Sequence, residues 1–393
     1  MKPAFNTPSW VLAALDERRR QDLMRHTVTL DSPQVPHTQI NGQPYTAFCS
    51  NDYLGLANHP SLIRAMQQTA DEYGVGGGAS HLVAGHLTPH QRLEDALAEW
   101  LGYERVLLFS TGYMANLGVI SALANKQRPV IQDKLNHASL IDGAQLAQAP
   151  MRRYLHANPL SAKKLMAKSE QSGLLVTDGV FSMDGDMAPL SELSALASLY
   201  DWTFMVDDAH GLGCLGKEGR GSLALSALGM AQVPLLMGTF GKAFGTSGAF
   251  VATTQDLADY LTQFARPYVY TTSISPAMAG ASMAALQLIC SQEGEDRRAK
   301  LTGHIDYFRQ RMSDLPVELM ASETAIQPVV IGDSSAALAV SEQLKALGIW
   351  CTAIRPPTVP NGKARLRITL SAGHSTQDLV LLCDALERVL TAK

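Results

Sequence analysis

The sequence predicts an α/β fold: a large domain on a mostly parallel seven-stranded sheet flanked by helices, plus a smaller α+β domain at the end of the chain. Three observations carry this. Between about residues 105 and 253, the β-rich runs RVLLF, PVIQD, RRYL, GLLVTD, TFMVD, PLLMG and GAFVAT alternate with helix-like segments, as a helix-covered parallel sheet requires. From Ala277 to Leu315 the periodicity is helical, and AIQPVVIG, the helix-like SAALAVSEQLKALG and ARLRITL then describe two strands around a helix. At 393 residues the chain exceeds one typical domain and accommodates one large and one smaller body. The expected division is an N-terminal helix and short segment over 1–50, the large domain over 51–286 and the C-terminal domain over 287–393.

Residues 8 to 25 place Trp10, Leu12, Leu15 and Leu23 at near-helical spacing with charges between them, so an amphipathic helix that packs on another body opens the chain. The N-terminus lacks the apolar core of a signal peptide and no apolar run approaches transmembrane length, so a cytoplasmic protein is expected. Cys49, Cys214, Cys290, Cys351 and Cys383 stand singly with no CxxC pair, which speaks against zinc and against a disulfide framework; no metal is expected. With 32 Lys+Arg against 36 Asp+Glu the net charge is −4, which gives no sign of a nucleic-acid groove or membrane face and leaves small molecules as the expected substrates. Pro356, Pro357 and Pro360 stiffen a segment between two strands near the end.

In open α/β sheets ligands sit beyond the carboxyl ends of the strands, and here five strand ends carry polar groups. TFMVDDAHG places Asp207 at the end of a buried strand with His210 three residues on. GLLVTDGVFSMDG ends in Asp178 followed by Ser182, PVIQDKLNHASL runs into His137, LLFSTGYMAN ends in Gly112 and Tyr113, and LLMGTFGK ends in Thr239 and Lys242. Singly, each has a plain structural explanation: a helix cap, a satisfied polar group, a turn. Together they describe more. A glycine-rich turn entering a helix offers N–H groups to a phosphate. An aspartate beside a pyridine nitrogen keeps it protonated, and a lysine enclosed among small residues can form a Schiff base with an aldehyde. These are the three requirements of pyridoxal 5′-phosphate.

The ordered motifs STGY, HAS, DGVFSMDG, DDAHG and TFGK, with SNDYLGL at 50–56, GVGGGASHLVAG at 74–85 and TTSISP, resemble the α-oxoamine synthases. These are fold-type I pyridoxal-phosphate enzymes that join an amino acid to an acyl thioester with loss of CO2. The resemblance runs from the first helix to the last strand. It implies that Lys242 carries the cofactor, Asp207 faces its ring nitrogen, His137 stacks over the ring and His210 bonds the phenolic oxygen. It puts Gly112, Tyr113, Asp178, Ser182 and Thr239 at cofactor contacts and Arg25, Asn51, Ser80, His137, Arg355 and Thr358 at substrate contacts. Asp178 stands where several related synthases carry glutamate, which keeps the charge and shortens the reach.

Within the family, AIRPPTVPNGKARLRITLSAGH at 353–374 is similar to members that condense L-alanine with a pimeloyl thioester, carried by coenzyme A or acyl carrier protein. The resemblance also implies a homodimer. Glycine-using sister activities (2-amino-3-ketobutyrate ligase, 5-aminolevulinate synthase), an aminotransferase on the same fold, and a catalytically silent subunit remain as alternatives.

Overall fold

The structure, a computed structural model, describes residues 7–21 and 23–391. The helix foreseen over 8–25 spans Ser9–Arg20; Leu23 and Arg25 lie in the irregular segment after it. None of its residues is buried and Trp10 is 73% exposed, so within one chain its apolar face meets no other body.

A hairpin of β1 (His37–Ile40) and β2 (Gln43–Ala47) follows. The seven apolar runs then become β3 (Arg105–Phe109), β4 (Val130–Asp133), β5 (Met151–Tyr154), β6 (Leu174–Asp178), β7 (Thr203–Asp207), β8 (Leu235–Thr239) and β9 (Ala249–Thr253). They form one sheet in the order β3-β9-β8-β7-β6-β4-β5. β9 runs against both its neighbours and the other pairings are parallel. Alternation of side chains divides the core into two layers: Phe250 and Ala252 of β9 enter one, Ala249 and Val251 the other.

The helical stretch foreseen from 277 to 315 is two helices, Pro276–Ile289 and Gln292–Met312. They part at Ser291, whose side chain caps the second by accepting from the Gly294 amide, and a Cβ on Gly294 would lie 2.3 Å from the Ile289 carbonyl oxygen. Beyond them come β10 (Glu318–Leu319), β11 (Ile326–Gly332), the helix Ser334–Ala346, β12 (Ile349–Trp350), β13 (Thr352–Ile354) and β14 (Ala364–Thr369). The antiparallel sheet β10-β11-β14-β13 is separate from the central one, while β12 pairs in parallel with β2. The N-terminal hairpin is thereby tied to the last third of the chain.

Residues 240–248 connect β8 to its antiparallel neighbour β9 and carry Lys242. This loop is tight: the Phe240 amide donates to Gly248 O at 2.9 Å, Thr246 to Phe240 O at 2.9 Å and Gly245 to Lys242 O at 2.9 Å. Gly245 has φ +68°, and a Cβ there would lie 2.4 Å from the Ala57 amide nitrogen. Replacing it by alanine incurs roughly 1–2 kcal/mol for the left-handed backbone alone and adds a collision with the Leu56–Ala57 backbone. Gly245→Ala is expected to melt at a lower temperature than the parent; a matching melt in differential scanning fluorimetry would show that the loop yields freely.

Candidate active site

β6 and β7 lie in parallel register with Asp178 opposite Asp207, so two carboxylates emerge side by side at the carboxyl end of the sheet. Both are buried. Each is held by hydrogen bonds from other elements. Asp207 accepts from the Ala209 amide at 3.1 Å and from Asn116 Nδ2 at 2.7 Å; Asp178 accepts from the His137 amide at 2.8 Å. Burial, and then the charge of Asp207, push the Asp178 carboxyl well above its usual range.

A cavity of about 190 Å³ opens over them, and Gly112, Tyr113, His137, Asp178, Asp207, His210, Thr239 and Lys242 all line it. Eight of the residues singled out in the sequence therefore meet in one place. Gly112 and Tyr113 open the helix Gly112–Leu123, capped by the Thr111 side chain, and their amides have no intrahelical acceptor. The Thr239 hydroxyl, at the end of β8, donates to Gly248 O at 3.0 Å and fixes the start of the lysine loop.

Lys242 Nζ bonds a ring nitrogen, lying 2.8 Å from His210 Nε2. Burial lowers the lysine from 10.5 to about 8, against the opposing pull of Asp207 and Asp178. Burial, and then the charge of Lys242, hold His210 well below its ordinary range, so its imidazole is neutral. His137 is tethered through Nδ1 to Ser139 Oγ at 2.7 Å; Ser139 accepts from Asn116 Nδ2 at 2.9 Å, and Asn116 in turn bonds Asp207.

This donor set fits pyridoxal phosphate. It holds a buried carboxyl group for a protonated ring nitrogen, a helix N-terminus for a phosphate and an amine of lowered basicity for an aldehyde. Asn116 Oδ1, on the cavity wall, is a buried acceptor with no partner.

A second cavity of about 310 Å³ shares His137, His210 and Lys242 with the first and adds Asn51, Ser182 and Arg367. A third, of about 410 Å³, contains Arg25, Arg355 and Thr358; Thr352 and Ile354 line both the second and the third. Ser80 lines none of the three. It forms an isolated bridge to Thr272 and precedes a π-helical turn, His81–Gly85.

Sequence reasoning did not single out Asn116, Ser139, Tyr53 or Arg367. Asn116 and Ser139 stand inside the quoted STGYMAN and HAS motifs, Asn116 at an inward helical position and Ser139 in the first turn of the helix that His137 caps. Arg367, 8% exposed, lies within the β-run ARLRITL and looks there like an ordinary strand residue. Among the described residues, His156, Asp184 and Asp186 are close enough to hold a metal. However, both ring nitrogens of His156 are taken, by Asp133 at 3.0 Å and Asp186 at 2.8 Å, and Asp184 pairs with Arg365. Burial opposes the charge on His156, but bonds to the two carboxylates outweigh it and raise the ring to about 10, which makes it a cation and not a ligand.

The Lys242 environment makes a kinetic prediction. Only the unprotonated amine attacks an aldehyde, so the rate at which cofactor-free protein takes up pyridoxal phosphate covalently should rise with pH around a midpoint near 8 instead of 10.5. Because the Asp207 carboxylate raises the lysine, Asp207→Asn should move that midpoint lower. Stopped-flow absorbance measures both; a midpoint near 10.5 in the parent would contradict an enclosed lysine.

The chain matches the family model described as aminotransferase class I and II over residues 43–386. It is 75% identical over 393 residues to the 8-amino-7-oxononanoate synthase of Marinomonas sp. (strain MWYL1), covering 100% of this chain and 98% of that one. The structure of 8-amino-7-oxononanoate synthase from Francisella tularensis superposes with a TM-score of 0.76 at 30% identity, covering 88% of this chain and 97% of the other. Serine palmitoyltransferase from S. paucimobilis, solved with PLP and myriocin bound, superposes with a TM-score of 0.91 at 27% identity, covering 97% and 96%. The motifs, the cavity and the whole-chain identity agree, and the chain belongs to the class I and II aminotransferase family, in its 8-amino-7-oxononanoate synthase branch.

Proposed function

We propose that the chain condenses L-alanine with a pimeloyl thioester, releasing the thiol and CO2 and giving 8-amino-7-oxononanoate, a step of biotin biosynthesis, with pyridoxal phosphate carried on Lys242. The observation that carries this reading is the run of adjoining cavities. The second shares Lys242 with the first, and leads over Thr352 and Ile354 to a third that holds Arg25 and Arg355.

When bound, the cofactor supplies an electron-accepting ring that stabilises negative charge at the α-carbon of the amino acid. Asp207 would hold the ring nitrogen protonated, His210 would bond the phenolic oxygen, and His137, tethered through Ser139, would lie against the ring. The Lys242 amine, once free, would take the α-proton of alanine; an amine with a pKa of about 8 suits that exchange near neutrality. Arg367 lines the second cavity beside Lys242 and holds the alanine carboxylate through its planar fork, supported by Asn51. The acyl chain lies over Ile354 with its distal end toward Arg25, Arg355 and Thr358. Coenzyme A and acyl carrier protein both fit as carriers, since either delivers the thioester on the same arm.

The working unit is proposed to be a homodimer. Val75 and Val83 are 76% and 81% exposed, Tyr270 is 71% exposed, and the Ser80–Thr272 bridge joins the two segments that carry them. A second copy covering this face would bring Ser80 toward a site it does not reach within its own chain. Sedimentation should return twice the chain mass, and a monomer would contradict the assembly.

Substrate choice is tested by competition between equal L-alanine and glycine with pimeloyl, acetyl and succinyl thioesters in turn, following thiol and CO2 release. L-alanine with the pimeloyl donor should lead. One methyl group typically separates substrates by only about 10 to 200-fold, so slow glycine turnover is compatible with the assignment. Preference for glycine with an acetyl or succinyl donor would move the chain to a sister activity, and a product that keeps its carboxylate would make it an aminotransferase.

A further inference from the structure

Behind His210 lies a buried hydroxyl that the proposed reaction leaves unused. Tyr53, in the SNDYLGL segment, is 0% exposed; its Oη lies 2.6 Å from His210 Nδ1 and 3.2 Å from Asn51 Oδ1. Asn51 Oδ1 also faces both terminal nitrogens of Arg367 at 3.3 Å, and on the opposite side of the imidazole His210 Nε2 is 2.8 Å from Lys242 Nζ. An unbroken line of hydrogen bonds therefore runs Lys242–His210–Tyr53–Asn51–Arg367, from the lysine of the first cavity to the guanidinium of the second.

Proton counting along this line allows two arrangements. A neutral imidazole carries one ring hydrogen, and a tyrosine carries one hydroxyl hydrogen. If the hydroxyl turns to Asn51 Oδ1, His210 donates from Nδ1 to Tyr53 and presents a bare Nε2, which accepts from a Lys242 ammonium. If the hydroxyl turns to His210, Nδ1 accepts and Nε2–H points into the cavity as a donor. The first arrangement suits a protonated lysine. The second suits a neutral lysine amine, and equally an oxygen acceptor in the cavity. Both endpoints of the tyrosine are within reach without moving its ring, since the two acceptors flank one oxygen.

We propose that Tyr53 is a positioning residue whose hydroxyl, by turning between Asn51 and His210, sets which ring nitrogen of His210 carries hydrogen and thereby fits the imidazole first to Lys242 and then to the phenolic oxygen of the cofactor. The second half rests on the proposed cofactor reading; the first concerns the cofactor-free protein. Burial pushes Tyr53 up to about 12, so it remains a hydroxyl at neutral pH. The charged and titratable groups acting on the His210–Lys242 pair are Arg367, His137, Asp207, Asp178 and Asp208. A phenylalanine at position 53 would leave Nδ1 facing a hydrocarbon ring with neither donor nor acceptor.

The test is NMR of the histidine ring nitrogens in isotopically labelled, cofactor-free protein, with the His210 signals assigned by their loss in His210→Gln. Spectra are taken at pH values on either side of the Lys242 titration near 8. In the parent, His210 should pass from the Nδ1–H to the Nε2–H tautomer as Lys242 loses its proton; in Tyr53→Phe it should show averaged, mixed-tautomer shifts that do not respond in this way. A single fixed tautomer in the parent, or the same pH-driven exchange in Tyr53→Phe, would overturn the proposal. If Tyr53→Phe does not fold, the parent series alone decides. Adding pyridoxal phosphate tests the other reading separately: absence of a visible absorption band from Lys242 would refute the cofactor assignment and leave the tautomer series standing.

Discussion

Two buried carboxylates held side by side by strand register form the constraint on which the rest of this molecule depends. β6 and β7 are bonded in parallel with Asp178 opposite Asp207, and the sheet gives neither carboxylate room to separate. Two adjacent anions in a place of low polarity cannot both be left uncompensated. The surroundings respond asymmetrically. Asp178 takes a backbone amide and keeps a raised pKa, while Asp207 takes an amide and the Asn116 side chain and is left to face a cation. Asp178 accepts from the His137 backbone amide and so helps to fix the start of the helix that carries Ser139.

A second structural theme is that the loop after β6 is clamped from both sides. Arg367 Nε donates to Ser182 O at 2.6 Å, Arg365 pairs with Asp184, and the hydroxyls of Ser322 and Thr324 donate to Gly185 O at 2.9 Å, all from the C-terminal part of the chain. From the sheet side, the His156 cation joins Asp186 to Asp133, just ahead of His137. The loop that carries Ser182 therefore ties the sheet to the C-terminal part of the chain, and the second cavity, which Ser182 lines, inherits its position.

The repetitive part of this architecture was legible in the sequence. Each of the seven apolar runs is a strand of one sheet, and polar groups at the carboxyl ends of five of them converge as strand-end logic requires. What escaped was whatever depends on contacts distant along the chain. Arg367 reads as a strand residue because nothing near it in sequence announces that β14 will face Lys242. Tyr53 reads as an apolar core residue, and its hydroxyl gains meaning only beside His210, 157 residues away. The break at Ser291 was hidden by helical periodicity continuing on both sides, and Ser80 bridges to Thr272, 192 residues on. The exposed apolar face of Ser9–Arg20 belongs to the same class: periodicity specifies a helix but not what covers it.

The direction of β9 has a consequence for how this chain can vary over time. Strands β4, β6 and β7 hand on to the next strand through helices, and such crossovers can gain or lose a residue far from the strand ends at small entropic cost. Residues 240–248 have no such reserve, because Thr239 and Ala249 are opposite each other in an antiparallel ladder and both ends of the loop are fixed. One residue more or fewer there would have to displace Lys242 itself. Alignments of functioning relatives should therefore scatter their gaps through the helical crossovers and leave this short return uninterrupted, so that gap placement alone, read without any catalytic assay, would mark where the chemistry is anchored.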